Sequence, residues 1–256
     1  VKRRRRVLHK RIGETLERIS SADPYPQLDL LAYHYARSDE TLKAIKYLYL
    51  SADRASRLFA NAQALESYSH ILKTLAPLER NALIAIDLQS KEWRRPAQLE
   101  HEILQKKAEI LFRTGAYDRL MELVEKHLQA DLPVLEQARL MYWQGRCREK
   151  GSEFALAREC FDNALKQLEN QAEPREQARF WNACGWVNRW LGDYEAALEA
   201  CQTALKLLET QPDMEQIAYA HNVMGVVHYY RHEWEASLEH YRQGLEIQEQ
   251  IQDLWG

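Results

Sequence analysis

The sequence predicts an all-α protein, a right-handed superhelical α-solenoid of about 11–12 helices arranged in antiparallel pairs. Three blocks between residues 138 and 256 repeat at a spacing of 40 residues. Glycines and aromatic residues keep this register in all three blocks: Gly145, Gly185 and Gly225, and Phe154, Tyr194 and Trp234. Apolar residues in each block recur every three or four positions, as on the buried face of a helix. A proline, which interrupts a helix, stands at each junction: Pro133, Pro174 and Pro212.

The middle block illustrates the helix pair expected in each block. Apolar residues follow helical spacing within 180–187 and again within 194–208, which predicts two helices. Gly192 can end the first helix, and Asp193 can cap the second. A small residue such as Gly185 lets the two helices approach closely, and we expect a large aromatic side chain to fill the adjacent gap.

Residues 1–22 predict one N-terminal helix with an apolar stripe. The basic run at 2–6 has two interpretations, which the sequence leaves open. It is either a patch for nucleic acid or another anion, or the solvated start of a helix whose apolar stripe packs on the next element. Residues 23–97 predict irregular helix pairs, with helices expected at 27–37, 40–59 and 61–76.

Leu58 is a candidate core residue of the helix at 40–59. The segment 77–97 is the least regular part of the chain, and we expect a loop there that could include a short helix at 81–90. Residues 98–256 are predicted to form the repeat array. It comprises a degenerate helix pair at 98–132 and the blocks 138–177, 178–217 and 218–256.

The three blocks resemble the tetratricopeptide repeat (TPR), a helix–turn–helix unit with an aromatic, Leu-Gly, Tyr, Ala pattern. The residues on pattern positions are Gly145, Phe154, Ala157, Phe161, Ala164, Trp181, Gly185, Gly192, Tyr194, Ala197, Ala204, Gly225, Trp234, Tyr241 and Gly244. The blocks depart from the pattern where Arg148, Asn188 and His228 replace its first-helix Tyr. Their spacing of 40 residues also implies longer helices or linkers than in the standard unit. The resemblance implies a non-catalytic protein-binding scaffold.

A second resemblance covers roughly residues 5–75. The stretches that carry it are LHKRI (8–12), LE (16–17), LAYHY (31–35), KAIKYL (43–48), ADRA (52–55) and AL (64–65). They resemble the junction after the ATPase and winged-helix part of bacterial STAND proteins, which are signal-transduction ATPases with numerous domains. The resemblance implies that the chain is the sensor arm of such a regulator, cut from a longer protein just after its nucleotide-binding module. It also implies contact with that missing module.

Composition narrows the function classes. The net charge is −3, with 46% hydrophobic and 29% charged residues, so no global charge favours nucleic acid. No apolar run approaches the roughly 20 residues of a membrane span, and no apolar region of a signal peptide follows the basic start. The four cysteines have no disulfide or zinc spacing, and we expect buried thiols in a reducing, cytoplasmic compartment, with an oxidative Cys184–Cys201 bridge left open.

No catalytic or phosphate-binding motif is found in the sequence. His228 and His232 are four residues apart, a spacing at which two histidines on a helix can bind one metal ion. No third ligand lies at a spacing typical of metal sites. His232 also falls where the other blocks have their turn. We therefore expect no enzyme activity, no cofactor and no metal.

In the TPR family, the first helix of each repeat lines the concave surface that binds partners. Carried onto this sequence, that rule gives the candidate partner-binding residues Arg139, Tyr142, Arg146, Arg179, Asn182, Trp186, Arg189, Trp190, Tyr219, Asn222, Tyr229 and Tyr230. Arginine and aromatic residues are the types that anchor interfaces, and arginine binds carboxylates in bidentate fashion. The set favours an acidic, partly aromatic protein or peptide, with Asn182 and Asn222 pairing with its backbone.

The opposing interpretation is that these aromatic residues pack against the neighbouring repeat while the arginines are solvated. Two other functions also stay open. A closed aromatic pocket around Trp186 and Trp190 would favour a small-ligand sensor. The other function is self-assembly, with repeats stacking between protomers, which apolar surface exposed at the cut end near Trp255 could also produce artificially.

Overall fold

The computed structural model describes residues 2–21, 24–89, 91–171 and 173–255, with side chains described as far as residue 251. Twelve α-helices lie within these ranges, and they confirm the predicted all-α fold of antiparallel helix pairs. The chain divides into two compact units, of which the first ends at Ala116 and the second begins at Tyr117.

The first unit contains the helices that the sequence predicts at 1–22, 27–37, 40–59 and 61–76, and the first helix of the pair predicted at 98–132. Its helices are α1 Lys2–Ile19, α2 Leu28–Tyr35, α3 Thr41–Arg57, α4 Asn61–Leu75 and α5 Pro96–Arg113. Two short strands, β1 Ile84–Ala85 and β2 Trp93–Arg94, lie between α4 and α5, and a 3₁₀ turn, Tyr25–Gln27, precedes α2.

The packing of α1 on α2 and α3 depends on the buried ring of Tyr35. A Cβ atom at Gly13 would lie 3.0 Å from this ring, closer than most real Cβ contacts, so glycine lets α1 approach the ring without displacing it. The hydroxyls of Tyr35 and Tyr47 donate to Glu17 at 2.7 and 2.6 Å, and Lys43 Nζ donates to it at 2.7 Å. Burial by itself would raise the pKa of Glu17, but these three donors outweigh it and lower that pKa.

The prediction of a short helix at 81–90 is wrong, because β1 occupies part of that segment. Strands β1 and β2 pair in antiparallel fashion, with Ile84 opposite Arg94. The backbone N–H groups of Lys91 and Glu92 donate to Asp87 Oδ1 at 2.8 and 3.1 Å and hold the turn. Ile84 is fully buried in the core of the first unit, so long-range burial and a local Asp turn favour an extended backbone here.

Within the described residues, five turns between consecutive helices contain a residue with positive φ. These residues are Phe59, Gly115, Ser152, Gly192 and His232, with φ of 58°, 72°, 62°, 79° and 60°. The last three are 40 residues apart, so the repeat register extends to a left-handed turn position. Leu58 precedes the first of these turns and is 71% exposed, so its assignment to the core is wrong. The helical spacing that suggested burial continues past the end of α3.

The second unit consists of seven helices in its described residues. They are α6 Tyr117–Leu128, α7 Val134–Lys150, α8 Phe154–Leu168, α9 Pro174–Leu191, α10 Tyr194–Leu208, α11 Met214–Tyr230 and α12 Trp234–Trp255. The 40-residue blocks correspond to the pairs α7/α8, α9/α10 and α11/α12. Pro133 and Pro174 stand at the starts of α7 and α9, as predicted.

The glycines of α7, α9 and α11 are the points of closest approach within each pair. A Cβ atom at Gly145 would lie 2.4 Å from the Phe161 ring, and one at Gly225 would lie 3.0 Å from Tyr241. The aromatic residue fills the gap in these two pairs, as expected. The expectation of an aromatic residue is wrong for the middle pair, where a Cβ at Gly185 would lie 2.6 Å from the Sγ of Cys201, because the position of Phe161 and Tyr241 holds a cysteine there.

The helix ends in this unit follow local capping chemistry. Gly192 ends α9 in the left-handed conformation, and the Asp193 carboxylate accepts the N–H of Ala196 at 3.1 Å at the start of α10. Asp213 caps α11 in the same way, accepting the N–H of Gln216 at 3.1 Å. Asp193 and Asp213 each satisfy one of the N–H groups that a helix start otherwise leaves unpaired.

All four cysteines are free thiols. Cys147, Cys184 and Cys201 are buried, and Cys160 is partly buried. Burial raises the pKa of Cys147 to about 11, which disfavours its reactive thiolate form. The thiols therefore behave as the small buried side chains that the sequence predicts.

Candidate partner-binding surface

The twelve predicted residues lie on α7, α9 and α11, the first helices of the three pairs, and we call this set the α7–α9–α11 surface. Contacts between neighbouring first helices join them. The guanidinium of Arg179 lies 3.8 Å from the ring centroid of Tyr142 on α7. The rings of Trp186 and Tyr219 have centroids 6.5 Å apart, and they link α9 to α11. The structure thus brings residues from three separate repeats into one surface.

Most of the arginines on this surface are paired with carboxylates of the same chain. Arg139 donates to Glu176 Oε1 through Nε and Nη2 at 2.8 and 2.6 Å, and through Nη1 to Glu136 at 2.8 Å. Arg146 lies 2.8 Å from Glu149, and Arg179 approaches the second oxygen of Glu176 at 4.0 Å. These arginines are therefore neither solvated nor entirely available to a partner.

The sequence argument missed Glu136 and Glu176, although a signal was present. Each stands three residues before an arginine of the set, and the two glutamates are themselves 40 residues apart. Residues three apart are neighbours on a helix surface, so the repeat register could have identified both ion pairs. Burial would lower the pKa of Arg139, but Glu176 and Glu136 outweigh burial and raise it.

Arg189 is the exception among these arginines. Its guanidinium lies between two indoles, 4.1 Å from the ring centroid of Trp186 and 3.9 Å from that of Trp190. The side chain is 6% exposed, and no described residue offers it a carboxylate; its Nε and Nη2 atoms have no hydrogen-bond acceptor. Burial lowers the pKa of Arg189, with partial compensation from Tyr230 and other nearby tyrosines. Buried donors without an acceptor are rare in proteins and call for an explanation.

The aromatic residues divide between packing and exposure. One face of Trp190 stacks on Phe154 of α8, with centroids 5.3 Å apart and planes 6° apart, yet the side chain is 50% exposed. Tyr230 stacks on Tyr194 of α10 in the same way at 6.3 Å and is about half exposed. Tyr229 is 54% exposed. Contacts with the neighbouring repeat therefore fix these rings while leaving much of their area open to solvent.

The two asparagines take different positions from those expected. Asn182 is fully buried, and its Nδ2 donates to the backbone oxygen of Gln216 at 2.9 Å. It thus pairs with a backbone, but with that of α11 in its own chain. Asn222 is partly buried, and its Oδ1 lies 2.8 Å from where a Cβ of Gly244 would be. Asn182 therefore couples two repeats in this structure and presents no accessible amide.

Trp186 and Glu149 connect the arginine pairs with the aromatic part of the surface. The indole Nε1 of Trp186 donates to Glu149 Oε1 at 3.2 Å, and Glu149 is buried. Tyr142 is also buried, and its hydroxyl accepts from Arg146 at 2.7 Å. Burial would raise the pKa of Tyr142, but the neighbouring guanidiniums of Arg146 and Arg179 outweigh burial and lower it.

A metal site and a membrane span both find no support in the described residues. No group of three or more His, Cys, Asp and Glu side chains has an arrangement that could hold a metal ion in the part of the chain that is described. His228 instead contacts Glu233 at 2.5 Å, and His232 lies in the turn before α12. Among the helices in the described residues, none combines the length and the apolar character needed to cross a bilayer.

Comparisons with known proteins agree with this architecture. Residues 176–250 match the sequence profile of the tetratricopeptide repeat family. The structure is similar to that of BtubC (BKLC) from P. vanneervenii, with a TM-score of 0.61, 15% identity, and coverage of 98% of this chain and 92% of that chain. It is also similar to the TPR-like repeats of a putative kinesin light chain from Podosopora anserina, with a TM-score of 0.54, 11% identity, and coverage of 84% and 99%. No curated protein matches the sequence.

Proposed function

We propose that this chain, which contains a tetratricopeptide repeat domain, is a non-catalytic scaffold that binds an acidic segment of a partner protein across the α7–α9–α11 surface. The fold supports the general part of the proposal, since TPR repeats typically bind other proteins and carry no catalytic residues. The choice of surface and the acidic character of the partner rest on the side chains described above.

The observation that carries the proposal is the state of Arg189. A buried guanidinium is stable when carboxylates accept its five N–H donors, and here two of its nitrogens have no acceptor. The flanking indoles hold the cation in place but accept no conventional hydrogen bond. A carboxylate arriving with a partner would supply the missing acceptor after a small movement of Trp190, which is half exposed.

The net charge of the α7–α9–α11 surface also favours an acidic partner. The first helices of the first two pairs contribute five cations around the predicted residues: Arg139, Arg146, Lys150, Arg179 and Arg189. Among the described residues, the carboxylates of Glu136, Glu149 and Glu176 form ion pairs with these cations. The surface therefore keeps an excess of two positive charges on a chain whose net charge is −3. Such an excess steers acidic segments towards the surface.

The two alternative functions receive different support. A small-ligand sensor would need a closed aromatic pocket, whereas Trp190, Tyr229 and Tyr230 are about half exposed and form an open surface. Self-assembly is favoured by apolar residues on α12, since Leu238 and Leu245 are well exposed. The side chain of Trp255, which the self-assembly hypothesis names, lies outside the described side chains.

We further propose that the chain is the sensor arm of a cytoplasmic STAND-type regulator and relays partner binding to an ATPase module. The support is the sequence resemblance of residues 5–75, which fall on α1–α4, together with four free thiols suited to a reducing compartment. A fusion of this chain to the ATPase module of its natural gene should show partner-dependent ATP hydrolysis. Equal hydrolysis with and without a peptide that binds the α7–α9–α11 surface would refute this role.

The proposed surface can be tested by selecting peptides from a random display library. The wild-type chain should enrich Asp- and Glu-containing peptides, and Arg179→Gln/Arg189→Gln should lose this enrichment. The matched control is Arg175→Gln/Arg242→Gln, which removes the same charge from exposed positions that do not belong to the surface. Far-UV circular dichroism would verify that all three proteins are folded.

Enrichment of neutral or basic peptides by the wild type would contradict the proposal. So would an equal loss of acidic peptides in the control, because that outcome would show that overall charge, and not this surface, selects them. Light scattering of the same samples would reveal self-assembly through α12 as the competing outcome.

A further inference from the structure

The first unit contains an open surface pocket with a strongly basic lining, and we call this pocket the cavity. It has a volume of about 590 Å³ and lies between the start of α1 and the end of α2. Lys2, Arg5 and Arg6 of α1 line it together with Arg37, which follows α2, and with His9. No acidic residue is among the lining residues. The volume falls within the range of small-molecule sites.

The spacing of the α1 residues explains why their side chains share the cavity. Lys2, Arg5 and Arg6 stand at i, i+3 and i+4, which is one face of a helix. Arg3 and Arg4, in the same basic run, do not line the cavity. The helical period thus divides the run at 2–6 into cations that face the cavity and cations that do not.

Several half-buried cations elsewhere in the first unit pair with a carboxylate. Lys10 pairs with Glu40, Lys43 lies 2.7 Å from Glu17, and Lys106 lies 2.9 Å from Asp53. None of the four cavity cations pairs with a carboxylate among the residues that the structure describes. These four cations are all solvent-exposed, so an anion can reach them, and its binding would reduce the repulsion among them.

Two further contacts show a fixed, positive environment at the cavity. The guanidinium of Arg37 lies 3.8 Å from the ring centroid of Tyr33, and its Nη1 donates to the backbone oxygen of Tyr33 at 3.2 Å. Next to them, Nδ1 of His9 lies 3.0 Å from Nδ1 of His34. Burial lowers the pKa of His34, and the charges of His9 and Arg37 lower it further. Arg37 is therefore held in position before any ligand binds.

We propose that this cavity binds a small polyphosphate anion, with Lys2, Arg5, Arg6 and Arg37 as the residues that contact its phosphate oxygens. Four cations without counter-ions suit a ligand with several negative charges and many acceptor oxygens. A single cavity of this volume suits a compact ligand better than an extended nucleic-acid strand, which needs a basic stripe along the surface. This site belongs to the first unit and does not depend on the proposed function of the α7–α9–α11 surface.

Isothermal titration calorimetry with inorganic tripolyphosphate tests the proposal. Arg5→Ala/Arg6→Ala should weaken binding by at least about tenfold, since each charge-assisted hydrogen bond is worth roughly that factor. The matched control is Arg3→Ala/Arg4→Ala, which removes the same charge from the same helix outside the cavity and should bind within about twofold of wild type. Circular dichroism of both variants would verify an unchanged helix content.

Parallel titrations distinguish the sources of the phosphate. ATP that binds at least as tightly as tripolyphosphate would identify a nucleotide, whereas weaker ATP binding would identify an inorganic polyphosphate, and both outcomes support the site. Three outcomes overturn the proposal. They are no detectable tripolyphosphate binding by wild type, an equal loss in both double variants, and binding of a single-stranded oligonucleotide but not of tripolyphosphate.

Discussion

The substitution Gly145→Ala tests the close packing on which the repeat depends. An added Cβ would lie 2.4 Å from one atom of the Phe161 ring and 2.8 and 2.9 Å from two others. Real Cβ contacts do not occur at such distances, so the ring or the helix must move. Phe161 is fully buried, and its ring centroid is 5.8 Å from that of Tyr142, so the ring has no free volume to enter.

Two opposing free energies determine the result. Alanine is favoured over glycine by about 1 kcal/mol inside a helix. Overpacking a well-filled core costs about 1–3 kcal/mol, and the geometry at Phe161 places the cost towards the upper end of that range. We therefore expect Gly145→Ala to lower the free energy of unfolding by about 1–2 kcal/mol.

The equivalent change in the third pair provides a matched control. At Gly225 the added Cβ would lie 3.0 Å from Tyr241, which is 38% exposed and can swing outwards. The helix propensity should prevail there, and Gly225→Ala should be between neutral and about 1 kcal/mol stabilising.

Urea denaturation followed by circular dichroism and tryptophan fluorescence would give both free energies, provided that the two probes coincide. The double variant Gly145→Ala/Phe161→Leu, compared with Phe161→Leu alone, should show little or no cost of the alanine, because the clashing ring atoms are gone. Gly145→Ala that stabilises the chain, or matches Gly225→Ala, would refute the packing argument.

Three further predictions concern helix ends and histidines. Asp193→Ala and Asp213→Ala should each lower the free energy of unfolding, measured by urea denaturation, by about 0.5–2 kcal/mol, because each removes an N-cap acceptor. An unchanged denaturation midpoint would contradict the capping role. Gly192→Ala should lower the free energy of unfolding by about 1 kcal/mol. This cost comes from the φ of 79° alone, because no neighbouring atom lies within 4 Å of the added Cβ. Substitution by Asn, which tolerates this conformation, should lower the free energy of unfolding by less. His221 and His240 have Nδ1 atoms 3.1 Å apart, and burial lowers both pKa values, so the folded state binds fewer protons than the unfolded one. The free energy of unfolding should therefore be at its maximum above the ordinary histidine pKa of about 6.5 and decrease at lower pH. A melting temperature that falls as steeply with pH in His240→Gln as in the wild type would contradict this.

Much of the fold could be predicted because its signals are local or periodic. Capping by Asp193 depends on atoms three residues apart, and the fit of Gly145 against Phe161 recurs in the third pair as Gly225 against Tyr241. The failures lie where long-range contacts outweigh local preference. Ile84 adopts an extended backbone because it is buried in a core drawn from distant helices, and no local pattern marks that burial.

The candidate surface was predicted less completely than the fold. The repeat register placed its twelve residues on three first helices, which the structure brings together. The partners of these residues did not follow from the register alone: Arg139 binds Glu176 of the next repeat, and Asn182 binds the backbone at Gln216. These contacts join residues 34 to 37 positions apart, so they depend on how neighbouring helix pairs stack.

The sequence by itself determined that the chain is a series of antiparallel helix pairs. Helical periodicity, capping residues and the 40-residue spacing depend only on the order of residues along the chain. Only the tertiary structure decided which charges remain unpaired. Arg139 and Arg189 look alike in the sequence, yet one contacts two carboxylates and the other lies between two indoles without one. The physical reason is that pairing and burial depend on distances across helices, and these exist only after the repeats have packed.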